Sequence, residues 1–195
     1  MTISQVGQAP RTRADYLPGD HGMWFFIVGD LLIFGVYFLC YMVYRGQNLD
    51  VFLYSQQFLS QGIGVANTIV LLTSSLFVAL ATEAVREHKI RDAGRLLSLA
   101  IVLGALFPVL KMVEWIPKIS AGHTPGENLF FMYYYVMTGL HLLHVLLGLC
   151  IMAFMLRNLR QVAQPDIKFI EIGAIYWHMV DVLWLVLLAV FYLMR

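Results

Sequence analysis

Residues able to do chemistry sit inside every long apolar stretch of this chain. The last stretch holds Glu171, His178 and Asp181 at spacings of seven and three, which on a helix of 3.6 residues per turn puts all three on one side. An earlier one holds His141 and His144, which share a face with Gly148 one turn further on. Asp30 is buried in the first stretch, and Asn67, Ser74 and Ser75 lie in the second. The third presents Lys111 and Glu114 at i, i+3, where opposite charges pair along a helix. Histidines and carboxylates in an apolar bundle suit three chemistries. They can ligate a metal or haem, pass protons along an Asp/His chain, or form a hydrogen-bonded network that sets helix register. His141 and His144 cannot take the two opposite axial positions of one haem, although either could share that job with His178. A di-metal carboxylate site uses Glu and Glu-x-x-His pairs on facing helices, where this chain offers His-x-x-His and His-x-x-Asp. Transporter-like carriers carry inverted repeats or broken helix pairs, and neither is visible here.

The elements that position these residues follow from composition. Of 195 residues, 60% are hydrophobic and 13% charged, and the mean hydropathy is +0.74. Such a chain is an integral membrane protein. Apolar runs at about 22–44, 63–85, 94–116, 129–156 and 170–193 are each long enough to cross a bilayer as a helix. The expected fold is therefore all-α and polytopic: a polar tail over 1–20, then one domain of five transmembrane helices over 21–195. The tail lacks an apolar h-region, so the first helix is expected to direct insertion itself. Pro108 is expected to kink the third helix. Arg11, Arg13, Arg86, Lys89, Arg91, Arg95, Arg157, Arg160 and Lys168 fall on one side of the membrane, against Arg45, Lys118 and Arg195 on the other. The positive-inside rule puts the N-terminus in the cytoplasm. The net charge of +1 gives no indication of nucleic acid or an acidic substrate, and Cys40 and Cys150 read as small residues of apolar runs.

Counting the helical rise from the cytoplasmic ends puts Asp30, Ser74, His144, His178 and Asp181 about 12–18 Å deep, and Asn67, Lys111 and Glu114 about 24–28 Å deep. Two polar layers are expected. In the middle layer His144, His178 and Asp181 are expected to satisfy one another. Asn67, Ser74 and Ser75 are expected to hydrogen-bond across close helix contacts, and Lys111 and Glu114 to form an internal salt bridge.

Gly22-Met23-Trp24-Phe25-Phe26-Ile27 with Asp30, Asn67-Thr68 with Leu71-Leu72 and Ser74-Ser75, Thr138-Gly139 with His141, His144-Val145 and Gly148, and Glu171 with Tyr176-Trp177-His178, Asp181-Val182 and Trp184 occur in this order. This pattern closely resembles subunit III of haem–copper oxidases in its five-helix bacterial form. The resemblance implies a non-catalytic, cofactor-free subunit of the bacterial inner membrane, packed on a catalytic subunit that carries the haem and the copper or iron. It also implies other subunits of the complex as neighbours, and phospholipid in a cleft between the first two spanning helices and the remaining three. Asp30, where longer relatives have glutamate, would lie near the proton-uptake side, and the subunit would sustain proton uptake and complex integrity. Lys111 departs from the family's neutral residue. The short first loop and the Pro18-Gly19-Asp20 opening are more similar to relatives associated with nitric oxide reductase in denitrification. The expectation is an accessory subunit of a respiratory complex that reduces oxygen or nitric oxide. The alternative of another class is a stand-alone membrane carrier or haem-binding protein.

Overall fold

The computed structural model describes residues 21–161 and 165–194. The tail over 1–20, with Arg11, Arg13 and the Pro18-Gly19-Asp20 opening, lies outside the described residues. The chain forms α1 (His21–Gln47), α2 (Leu49–Gln56), α3 (Gln61–Arg86), α4 (Ile90–Ser120), α5 (Leu129–Gln161) and α6 (Ile167–Leu188), and α6 continues as a π-helical turn over Ala189–Leu193. Five of these are long and apolar enough to span a membrane, so the chain is an all-α, multi-pass membrane protein.

The spanning helices run past the expected boundaries because their ends recruit polar residues that hydropathy alone excludes. Arg91 and Arg95 lie in the first turns of α4, and Arg157 and Arg160 in the last turns of α5. α4 runs on through Pro108 and Pro117. Two helix ends close by the same device. His88 (φ 61°) ends α3 and Gly122 (φ 95°) ends α4. In each case the next residue's N–H reaches back five positions, Lys89 to the Ala84 carbonyl and His123 to that of Lys118, as in a Schellman cap. At the start of α6 the Asp166 side chain accepts from the N–H groups of Lys168 and Phe169. The short α2 falls where a plain loop was expected. Eight residues are too few for hydropathy to register, and its packing comes from Phe52, Ser55 and Gln56, which are buried.

α6 is the hub: 67% of its span is buried, against 17% for α1. α3 lies along α4, and α6 packs against both α3 and α5. The Trp177 indole makes this centre. It is held between Gly104 of α4 and Gly148 of α5, where an added Cβ would come within 2.8 and 2.7 Å of the ring. α1 stands at the edge, resting on α5 and α6 through Ile27, Asp30, Phe34 and Tyr41. This arrangement corrects the implied cleft. The second spanning helix, α3, is packed into the group formed with α4 and α6, so it does not splay away together with α1.

Candidate functional site

The polar residues of the span interior occupy four places. On the α1–α5 seam, Asp30 Oδ1 lies 3.2 Å from His144 Nε2. The other ring nitrogen, Nδ1, is 2.7 Å from the Leu140 carbonyl. A carbonyl only accepts, so Nδ1 carries a hydrogen and Nε2 is left to face the carboxylate. The Phe34 ring stands edge-on to His144 at 5.7 Å.

One turn away, His141 points elsewhere. It is fully buried between the rings of Phe107 and Trp184, each 5.3 Å away, and neither ring nitrogen has a hydrogen-bond partner among the described residues. Residues three apart lie about 60° apart around a helix, enough to send His144 to α1 and His141 to α4 and α6. The two histidines therefore do not converge on one ligand. Among the described residues, no three His, Cys, Asp or Glu side chains gather in a way that could hold a metal.

The third place corrects the expected middle network. His178 Nδ1 hydrogen-bonds to Ser75 Oγ of α3. Ser75 also neighbours Asp181, whose Oδ1 has no partner among the described residues. His144, His178 and Asp181 do not satisfy one another. His178 turns toward Ser75 of α3 while His144 turns toward Asp30 of α1, and His178 makes no contact with Asp181 one turn along its own helix. Nearby, Ser74 donates to the Ala100 carbonyl at 2.8 Å, the cross-helix bond expected of it. Both polar atoms of the Asn67 side chain are buried without a partner among the described residues. Thr68 beside it accepts from the Trp184 indole N–H at 3.0 Å.

The fourth place lies toward the other membrane face. Lys111 Nζ pairs with Glu114 Oε2 at 2.8 Å, as expected, and Lys118 Nζ reaches Glu114 Oε1 at 2.9 Å. The Tyr192 hydroxyl accepts from Lys111 at 2.8 Å and donates to Glu114 at 2.8 Å. The Tyr134 hydroxyl accepts from Lys111 at 3.2 Å. Two ammonium groups against one carboxylate leave an excess positive charge, and aromatic faces meet it: Lys111 Nζ is 5.0 Å from the Tyr134 and Trp184 ring centres. Lys118 was legible as the third residue of an i, i+3, i+7 stripe on α4. Tyr134 and Tyr192 were not, because a tyrosine in an apolar run carries no sign of what its hydroxyl meets.

Two ties lie outside these layers. Glu171 bonds to Arg86 of α3 at 2.9 and 3.1 Å and fastens the entry of α6 to the exit of α3. At the opposite end, Arg45 donates to Gln56 at 3.0 Å. Gln56 in turn donates to the carbonyls of Val190 and Phe191, and Gln61 to that of Tyr192 at 2.8 Å. These glutamines cap the carbonyls at the end of α6, which the helix itself cannot satisfy.

The family described as cytochrome c oxidase subunit III matches residues 17–195 of this chain. A cytochrome c oxidase subunit 3 of Thermostichus vulcanus is 26% identical over 182 residues, covering 89% of this chain and 86% of that protein. A cytochrome bo(3) ubiquinol oxidase subunit 3 of Buchnera aphidicola is 22% identical over 174 residues, covering 88% of this chain and 84% of that protein. A protein of Aeropyrum pernix named heme-copper oxidase subunit I+III is 30% identical over 186 residues, 88% of this chain but 22% of that longer polypeptide.

Proposed function

Because the chain belongs to the cytochrome c oxidase subunit III family, we propose that it is the accessory, non-catalytic subunit of a haem–copper respiratory oxidase in a bacterial inner membrane. The haem and copper belong to the larger catalytic subunit, and this chain packs beside it and stabilises it. The relatives named cytochrome c oxidase and ubiquinol oxidase favour oxygen as the terminal acceptor over nitric oxide.

The observation that carries this reading is how the ionisable groups are used. Several pair one helix to another: Asp30 to His144 between α1 and α5, Ser75 to His178 and Arg86 to Glu171 between α3 and α6, and Lys111 with Glu114 to Tyr134 and Tyr192 across α4, α5 and α6. A buried charge that is paired and hydrogen-bonded specifies which helices meet. That is what a subunit needs when its work is to present one rigid surface to a partner. Support of proton uptake through Asp30 belongs to the same reading, and phospholipid is a further partner.

The test is purification through a tag on this chain in mild detergent. A larger haem-bearing polypeptide is expected to co-purify, with a Soret band that is lost when the two are separated. A stoichiometric Soret band that stays with the isolated chain supports the haem-binding alternative instead, and the absence of any haem-bearing partner removes the accessory role.

A further inference from the structure

Where α4 begins and α5 ends, the two packed helices leave a cavity of about 490 Å³ bounded by Ile90, Arg91, Gly94 and Arg95 of α4 and by Leu159 and Arg160 of α5. Its apolar lining is Leu159, which is buried, and Ile90, which is half-buried. Gly94 keeps it open, because a Cβ there would meet nothing within 4 Å. Arg160 is held across the helix pair, donating at 3.1 Å to Ser98 Oγ. The Ser98 hydroxyl in turn donates to the Gly94 carbonyl at 2.7 Å, so the acceptor that fixes Arg160 is itself fixed.

The arginines of this cavity are less neutralised than other basic groups at the same end of the bundle. Arg86 is bonded to Glu171 and Lys89 to Glu87. Arg160 has a neutral hydroxyl for its partner, and Arg91 has no side-chain partner among the described residues. Arg95 meets Asp92 at 3.4 Å with both side chains mostly exposed, a pair worth little. Three guanidinium groups therefore face one carboxylate. The start of α4 adds to the field. Its N-cap residue Lys89 makes no side-chain bond to the first turn, and the positive end of the helix is left open to an anion.

We propose that this cavity binds a phosphate monoester group on Arg91, Arg95 and Arg160. A guanidinium presents paired N–H donors that match two phosphate oxygens. A monoester carries a charge of about −1.5 to −2 at pH 7, the excess that three arginines against one carboxylate leave over. A phosphodiester, with its single charge, leaves part of that excess unmet. The cavity lies at helix ends, where a spanning bundle meets the headgroup region. A lipid whose headgroup is a bare phosphate and a soluble phosphate ester can both reach it there. The site shares no residue with the four polar places of the span interior, and its ligand does not depend on which larger subunit the chain joins.

The test is protection of arginines from phenylglyoxal, read residue by residue by mass spectrometry. The full chain, with whatever co-purifies, is stripped of bound lipid by repeated detergent exchange and placed in phosphatidylcholine nanodiscs. Three additions are compared: phosphatidic acid in the bilayer, a monoester; phosphatidylglycerol in the bilayer at equal total charge, a diester; and glycerol 3-phosphate in solution. At least one monoester is expected to slow modification of Arg91, Arg95 and Arg160 several-fold. Arg157, which donates to Gln161 one turn earlier on α5 and does not line the cavity, should be unchanged. Protection by phosphatidic acid alone marks a lipid headgroup as the source, and protection by glycerol 3-phosphate marks a soluble ester. Equal protection by phosphatidylglycerol, equal protection of Arg157, or no protection by either monoester overturns the inference. Gly94→Leu fills the cavity and keeps every charge, and Arg160→Gln removes one guanidinium from an exposed position. Both are expected to lose most of the protection at Arg91. Full protection in either variant overturns the inference, and Arg160→Gln carries the reading alone if Gly94→Leu does not fold.

Discussion

The Asp30–His144 contact across the α1–α5 seam makes substitutions at Asp30 informative. In Asp30→Asn the amide N–H can donate to Nε2, so the α1–α5 contact should survive and the complex should assemble. Asp30→Leu leaves the imidazole without its partner and should cost about 1–3 kcal/mol, read as a lower melting temperature in detergent. Turnover of the assembled Asp30→Asn complex from pH 6 to 9 separates two roles. Superimposable profiles with the wild type are expected if the residue holds helices together, whereas loss confined to alkaline pH assigns it to proton supply. The Lys111–Glu114–Lys118 cluster gives a sharper contrast. Glu114 faces two ammonium groups, so Glu114→Gln should destabilise by about 3–5 kcal/mol, the usual cost of breaking a buried pair. Lys118→Met, which leaves Lys111 and Glu114 matched, should cost less. Equal melting temperatures for the two variants would contradict the charge count.

At the scale of elements, the bundle depends on three helices meeting at Trp177. A Cβ on Gly148 or Gly104 would lie 2.7 or 2.8 Å from the indole, so the helices must separate or the ring must turn. Gly148→Ala and Gly104→Ala are each expected to cost about 1–3 kcal/mol, the range for overpacked cores. Gly29→Ala on α1 meets nothing within 4 Å and should be neutral or slightly stabilising, since alanine is the better helix former. Thermal unfolding of the three variants checks the ranking. Glycine within a membrane helix was visible in the sequence as a place of close approach, but Gly29 and Gly148 look alike there. Only the position of Trp177 separates them.

For the whole molecule the charge asymmetry gives an orientation that can be measured. Arg86, Lys89, Arg91 and Arg95 cluster where α3 turns into α4, and the Glu87 carboxylate 2.7 Å from Lys89 raises its pKa, so that loop keeps its positive charge. A reporter inserted in this loop is expected to be active in the cytoplasm and one fused after Arg195 in the periplasm. The reverse pattern would turn the bundle over. The amino-acid sequence by itself determined an all-α chain with five spans, the burial of Asp30, His141 and Lys111, and the Lys111–Glu114 pair. These depend on bilayer thickness and on the 3.6-residue period, which are properties of one helix at a time. Tertiary structure alone decided that His178 meets Ser75 and not Asp181, that Asp30 takes His144, that Tyr134 and Tyr192 close the charged cluster, and that α2 supplies a cap for α6. Helical periodicity says in which direction a side chain points from its own axis. It does not say which helix stands there, and in a bundle held by packing between segments far apart in sequence, that neighbour settles every polar partnership.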